Sequence, residues 1–272
     1  MPYFNRNTAM DFEKLNETNC RISNIKNNDR ILIGGSFYGK LNLAVIADTD
    51  NFAKLFQTAA KNAQIFTNND GMQKWLRGLA PDFNAETFAH LCAFDNALRK
   101  MYPELSAHPD KRNFFYDGSD KTLSEAVNAG VCQCAEIAVL AQAYLQQQGI
   151  ESKYFGGELL HSANDEFGEP HSFITLKTSG EDYIYDPANP LPSKNLCLPR
   201  IATIEATPLQ QAQFEAKIHS GGNMRNCAFL ETKDILTKSS RYYGCGDGMN
   251  IFPSFIISKN NTPPAPDNSR DL

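Results

Sequence analysis

The run from Gly130 to Gly149 constrains this chain most. Apolar residues recur at Ile137, Leu140, Ala141, Tyr144 and Leu145, the spacing of one face of an amphipathic helix. Gly149 ends it, as a residue in the left-handed C-terminal position does. Upstream, Asp117-Gly118-Ser119-Asp120 is a turn, and Thr122 to Gly130 leads into the helix. The sequence Gly130-Val131-Cys132-Gln133-Cys134-Ala135-Glu136 therefore puts a cysteine at or just before the first helical turn. Unpaired backbone N–H groups and the positive end of the dipole there favour a thiolate.

Past Gly149 the period changes to two. Ser152 to Gly157 begins a strand, Ser162 to Pro170 is a polar loop, and Ser172 to Leu176 alternates as a half-buried strand. Ser179-Gly180-Glu181-Asp182 turns the chain into Tyr183-Ile184-Tyr185, and Asp186-Pro187-Ala188-Asn189-Pro190 closes it. His171 opens the first strand of this hairpin and Asp186 follows the second. Antiparallel pairing then makes them neighbours. A cysteine at a helix start, a histidine, and a carboxylate that orients the histidine form a nucleophile–base–orienter set.

These segments resemble the transglutaminase-like superfamily of cysteine enzymes, related more distantly to papain-like proteases. The resemblance rests on Cys134-Ala135-Glu136-Ile137-Ala138, Gly149-Ile150, His171 opening a strand, and Asp186-Pro187, in that order. It covers roughly residues 120 to 190. It implies an α+β, papain/transglutaminase-like fold, with the nucleophile helix packed on an antiparallel sheet and a helical N-terminal part. It also implies acyl transfer through a thioester with Cys134, His171 and Asp186 as catalytic residues. The amide cleaved belongs to a peptide bond, as in a thiol protease, or to a side chain, as in a protein glutamine deamidase. A transamidase and a non-catalytic binding domain of the same fold are the alternatives.

Cys132 competes as nucleophile, since it has the Gly-x-Cys context of many family members. Cys134 has the family distance to Ala138 and Gly149, and a shift of two residues turns a side chain by about 200° about the helix axis. His161, ten residues before His171, is the alternative base, but no hairpin places a carboxylate beside it. The backbone N–H of Cys134 is one oxyanion donor. Gln133 and Asn128 are side-chain candidates; Asn128 lies six residues before Cys134, where papain-like enzymes carry a Gln. Glu136 either tunes the polarity of the first turn or complements the helix dipole. A zinc site from Cys132, Cys134, His161 and His171 lacks the usual Cys-x(2–4)-Cys spacing. No metal or other cofactor is expected.

The remaining chain is less informative. Arg30 to Ile33 and Leu41 to Ile46 read as a hairpin. Asp50 to Met101 reads as mostly helical, with Phe52, Leu55, Phe56, Ala59, Trp75, Leu76, Phe88, Leu91 and Leu98 as core and His90 as structural. Ala206 to Ile218 reads as a helix and Asn250 to Ser258 as a strand. The expected organisation is a flexible arm over 1–28, one catalytic domain over 29–258, and a disordered tail over 259–272. Within the domain, 29–119 is mostly helical, 120–190 carries the triad, and 191–258 is an extension.

A net charge of −5, with no basic run, argues against nucleic acid or an anionic membrane as partner. A protein or peptide substrate is expected. The odd count of seven cysteines does not look like a disulfide framework. Cys20, Cys92, Cys197, Cys227 and Cys245 read as buried small residues or surface thiols. A reducing compartment follows: the cytoplasm, or a host cell receiving a bacterial effector without a cleaved signal peptide.

Overall fold

The computed structural model describes residues 21–22, 24–34, 43–117, 119–162, 165, 169–194, 196–208, 215–217 and 224–246. The helices are α1 (Ala53–Thr67), α2 (Asp70–Leu79), α3 (Ala85–Met101), α4 (Arg112–Phe115), α5 (Leu123–Asn128) and α6 (Cys134–Gln147). The strands are β1 (Arg21–Ile22), β2 (Asp29–Gly34), β3 (Leu43–Ala47), β4 (Lys121–Thr122), β5 (Ser152–Leu160), β6 (Glu169–Thr178), β7 (Glu181–Tyr185), β8 (Leu191–Pro192), β9 (Cys197–Leu198), β10 (Ile201–Pro208), β11 (Glu215–Lys217), β12 (Met224–Asp234) and β13 (Ser240–Gly246).

The main sheet runs β5–β13–β12–β10–β7–β6, every pairing antiparallel, and β6 returns to β5. It is therefore a closed barrel. Closure removes the free edges that an open sheet exposes. It brings β13, late in the chain, beside the hairpin that carries His171 and Asp186. The approach of β13 to β5 is close: a Cβ at Gly157 would collide with the backbone oxygen of Gly244. Glycine there is a packing requirement.

α6 forms at the place and phase expected, and it is more enveloped than an amphipathic surface helix. Every residue from Ala135 to Leu145 is buried. One side meets α3, the other β2, β5 and β6. Tyr144 is the centre of this packing. Its ring stacks on Phe94 at 5.3 Å and meets Phe56 at 5.9 Å, and its hydroxyl lies 2.8 Å from His90 Nδ1. His90 is thus a structural partner of a core tyrosine. Gly149 follows with φ of +72°. α2 and α3 each start at an asparagine whose side chain accepts from the backbone, Asn69 from Met72 N and Asn84 from Thr87 N.

β2 and β3 pair as a hairpin, and β4 adds to β3 in parallel. The helix expected over Ala206–Ile218 is not formed by its described residues. Ala206 to Pro208 belong to β10 and Glu215–Lys217 to β11, and both strands pair with β12. Inter-strand hydrogen bonding overrides a helical pattern here. The span 1–28 lies mostly outside the described residues. At its described end β1 pairs with Tyr154 and Phe155, and Ile25 is buried with its backbone held by Gln146. Residues 250–258 and 259–272 lie outside the described residues. Among the described residues no helix is long and apolar enough to cross a membrane.

Candidate active site

The approach to Cys134 is a rigid turn. Gly130 has φ of +67°, and a Cβ there would stand 2.7 Å from the backbone oxygen of Glu104. Its carbonyl accepts from His108 N at 2.7 Å. Val131 N donates to Ala126 O, Cys132 N donates to Leu105 O at 2.9 Å, and Ser106 Oγ donates to Cys132 O at 2.7 Å. With the backbone of 130–132 tied on both sides, α6 starts at a fixed point. Cys134 is its first residue.

Cys132 and Cys134 fall in different environments. Cys132 is fully buried. Burial, with the nearby Glu136 carboxylate, pushes its thiol far above the ordinary range. Cys134 is only partly buried and free. The first-turn N–H groups beside it have no partner within the helix.

Facing Cys134 is His171, on β6 opposite Gly157 of β5. The Cys134 thiol stands near enough to the His171 ring to favour its charged form. His171 Nε2 lies 3.0 Å from Asp186 Oδ2, which leaves Nδ1 as the nitrogen for the sulfur. Burial disfavours a charged ring, but the Asp186 charge and hydrogen bond outweigh it, with Cys134 adding to the rise, and lift His171 to about 10. Burial likewise opposes the charged form of Asp186. His171, Asn189 and Arg241 overcome it and hold the carboxyl at about 2. The geometry favours an imidazolium–carboxylate pair.

The Asp186 position is set by four contacts. Its backbone N donates to Arg200 O at 3.0 Å. Its Oδ2 accepts from Asn189 Nδ2 at 3.0 Å and from Tyr243 Oη at 3.1 Å, and Arg241 Nη1 stands 3.8 Å away. Behind it, buried Asp95 accepts from Tyr185 Oη at 2.8 Å, and Arg99 bridges Asp95 to Pro187 O. Asn189 lies in the Asp-Pro turn visible in the sequence. Tyr243 and Arg241 were missed, because only barrel closure brings β13 to Asp186. No local pattern announces it.

The other candidates take different positions. His161 is exposed and pairs with Glu169 at 3.5 Å. Asn128 is the exposed last residue of α5. Gln133 is the exposed N-cap of α6, next to the sulfur-bearing residue. Glu136 is fully buried and paired with Arg112, a stronger engagement than either expectation for it. Among the described residues, no group of three or more His, Cys, Asp or Glu side chains is arranged to hold a metal.

No protein-family model matches the chain, and no curated protein matches it in sequence.

Proposed function

We propose that the protein is a cysteine-dependent acyl-transfer enzyme with a transglutaminase-like or papain-like arrangement, in which Cys134 attacks, His171 moves the proton and Asp186 orients the ring. The observation that carries this reading is the hydrogen-bonded His171–Asp186 pair beside Cys134, whose sulfur lies at the start of a buried helix.

The reaction follows from that chain. The Cys134 thiolate adds to the carbonyl carbon of an amide, and the carbonyl oxygen takes the negative charge. Backbone N–H groups of the first turn of α6 are preorganised donors for it. Gln133, exposed at the N-cap, is the side-chain candidate for a second donor. As the C–N bond breaks, His171 gives its proton to the departing nitrogen, and a thioester remains on Cys134. Neutral His171 then takes a proton from water or from an amine. The resulting attack on the thioester carbon restores the thiol. Asp186 stays ionised and stabilises the charged ring in both halves.

A protein or peptide is the proposed substrate, met in the cytoplasm or in a host cell. Intact masses of candidate substrates, incubated with the wild type and with Cys134→Ala, test the proposal. Cleavage fragments identify a protease. A gain of about one dalton, the difference between an amide and an acid, identifies a deamidase. A conjugate identifies a transamidase. Modification that persists with Cys134→Ala overturns the reading.

A further inference from the structure

In the first turn of α6, two residues past Cys134, Glu136 anchors a second polar cluster that the chemistry above does not use. Glu136 is fully buried, and Arg112 and Tyr116 are nearly so. Glu136 Oε1 accepts from Arg112 Nε at 3.0 Å, from Arg112 Nη2 at 2.8 Å and from Tyr116 Oη at 2.9 Å. Glu136 Oε2 accepts from the backbone N of Gln133 at 3.0 Å. Arg112 Nη2 also donates to Ile33 O at 3.3 Å, and its guanidinium stands 5.2 Å over the Tyr116 ring. The cluster joins β2, α4 and the first turn of α6.

A buried ion pair is a costly way to join three elements, because apolar side chains of similar volume do it as well or better. Its charges lie where they act on the sulfur. The Cys134 thiol is within electrostatic reach of the Arg112 guanidinium, and the Cys132 thiol feels both Arg112 and Glu136.

We propose that Arg112 and Glu136 are positioning residues of the Cys134 site: a buried, charge-balanced pair that fixes the first turn of α6 and sets the electrostatic field at the sulfur. This rests on Cys134 being the nucleophile. Each charge of the pair is opposed by the other, so neither a bare cation nor a bare anion is buried in the first turn. The other ionisable group beside the sulfur is His171 on β6, with Asp186 behind it, while Cys132 and Tyr116 adjoin the Arg112–Glu136 pair itself. Removing one charge leaves the other uncompensated, and the two removals act with opposite sign.

The test is the pH profile of Cys134 alkylation by iodoacetamide, read by mass on folded protein. Glu136→Gln keeps the side-chain shape and leaves Arg112 unopposed, so the rising limb moves to lower pH by about one unit. Arg112→Met leaves Glu136 unopposed, so the limb moves to higher pH by about as much. Arg112→Met combined with Glu136→Gln removes both charges, avoids a buried unpaired ion and returns the limb to near its wild-type position. If a single variant does not fold, the surviving single and the double variant decide between the outcomes. Profiles that superimpose on the wild type, with stability alone reduced, overturn the proposal. Wild-type protein in which Cys134 shows no preferential alkylation refutes the nucleophile assignment itself, a separate failure.

Discussion

His171 Nε2 and Asp186 Oδ2 stand 3.0 Å apart, both buried, with the ring's other nitrogen left for the Cys134 sulfur. Antiparallel strands β6 and β7 bring the pair together, and β13 seals it with the Tyr243 hydroxyl. The contact ties the pH behaviour of the site to one buried carboxylate.

Asp186→Asn should therefore change the pH dependence of the site. In the wild type the raised His171 keeps its proton through neutral pH, and a rate that needs the imidazolium falls only as pH rises through the alkaline range toward about 10. Without the carboxylate, burial is opposed only by Cys134, and the ring loses its proton well below about 10. The falling limb moves down by several units, and turnover at neutral pH drops on the order of 10³- to 10⁴-fold. The sign for stability is fixed by the same shift. Because the folded value of His171 is raised, its stabilisation is complete below 6.5 and is lost as pH climbs toward about 10. Thermal melts across that range should show this slope in the wild type and not in Asp186→Asn.

Asp95 gives a pH effect centred lower. Burial pushes its carboxyl up to about 7, Arg99 and the Tyr185 hydroxyl pull it back, and Asp186 adds to the rise. The folded state holds a proton that the unfolded state has released above about 4. Stability is therefore lost as pH rises from about 4 to 7, and the buried charge persists as a cost above that. Asp95 Oδ2 has no hydrogen-bond partner among the described residues. Asp95→Asn should remove this pH dependence. Its melting temperature relative to the wild type should rise between pH 4 and pH 8, by about 2–4 °C for each kcal/mol recovered.

Gly157→Ala should separate barrel closure from the chemistry upstream of it. The added methyl meets the Gly244 backbone, which is not a flexible side chain, so β13 must shift away from β5. Tyr243 and Arg241 then withdraw from Asp186. The expected cost is about 2 kcal/mol or more of stability, measured by denaturant titration, together with a loss of turnover. Turnover at wild-type level would mean that the β13 contacts are dispensable.

Cys132→Ala and Cys134→Ala should dissociate stability from activity. Cys132 is fully buried within the apolar core, so its truncation costs about 1 kcal/mol and spares activity. Cys134 is partly buried at a helix start, so Cys134→Ala abolishes turnover and leaves the melting temperature nearly unchanged. Assays of both variants side by side check the assignment.

These outcomes also show where the sequence is readable. The meeting of His171 with Asp186 was legible because it is local: a short hairpin turn and a period-two pattern fix which ends meet. The start of α6 at Cys134 was legible because its apolar spacing and Gly149 bracket it. Tyr243 and Arg241 were not legible, since they reach Asp186 only through a strand order that loops back to close the barrel. The Arg112–Glu136 pair was hidden because it is assembled from two separate helices. At Ala206–Pro208 and Glu215–Lys217, pairing with β12 won over a helical pattern because ladder bonds depend on a partner strand that periodicity does not reveal.

The most direct measurement is site-resolved alkylation of the folded protein at neutral pH, with fragment-ion assignment, in the wild type and in His171→Ala. The account predicts that Cys134 reacts at least about ten times faster than Cys92, Cys132 and Cys197, and that the advantage disappears with His171→Ala. Equal reactivity among these cysteines, faster reaction at Cys132, or a Cys134 preference unchanged by His171→Ala would contradict it.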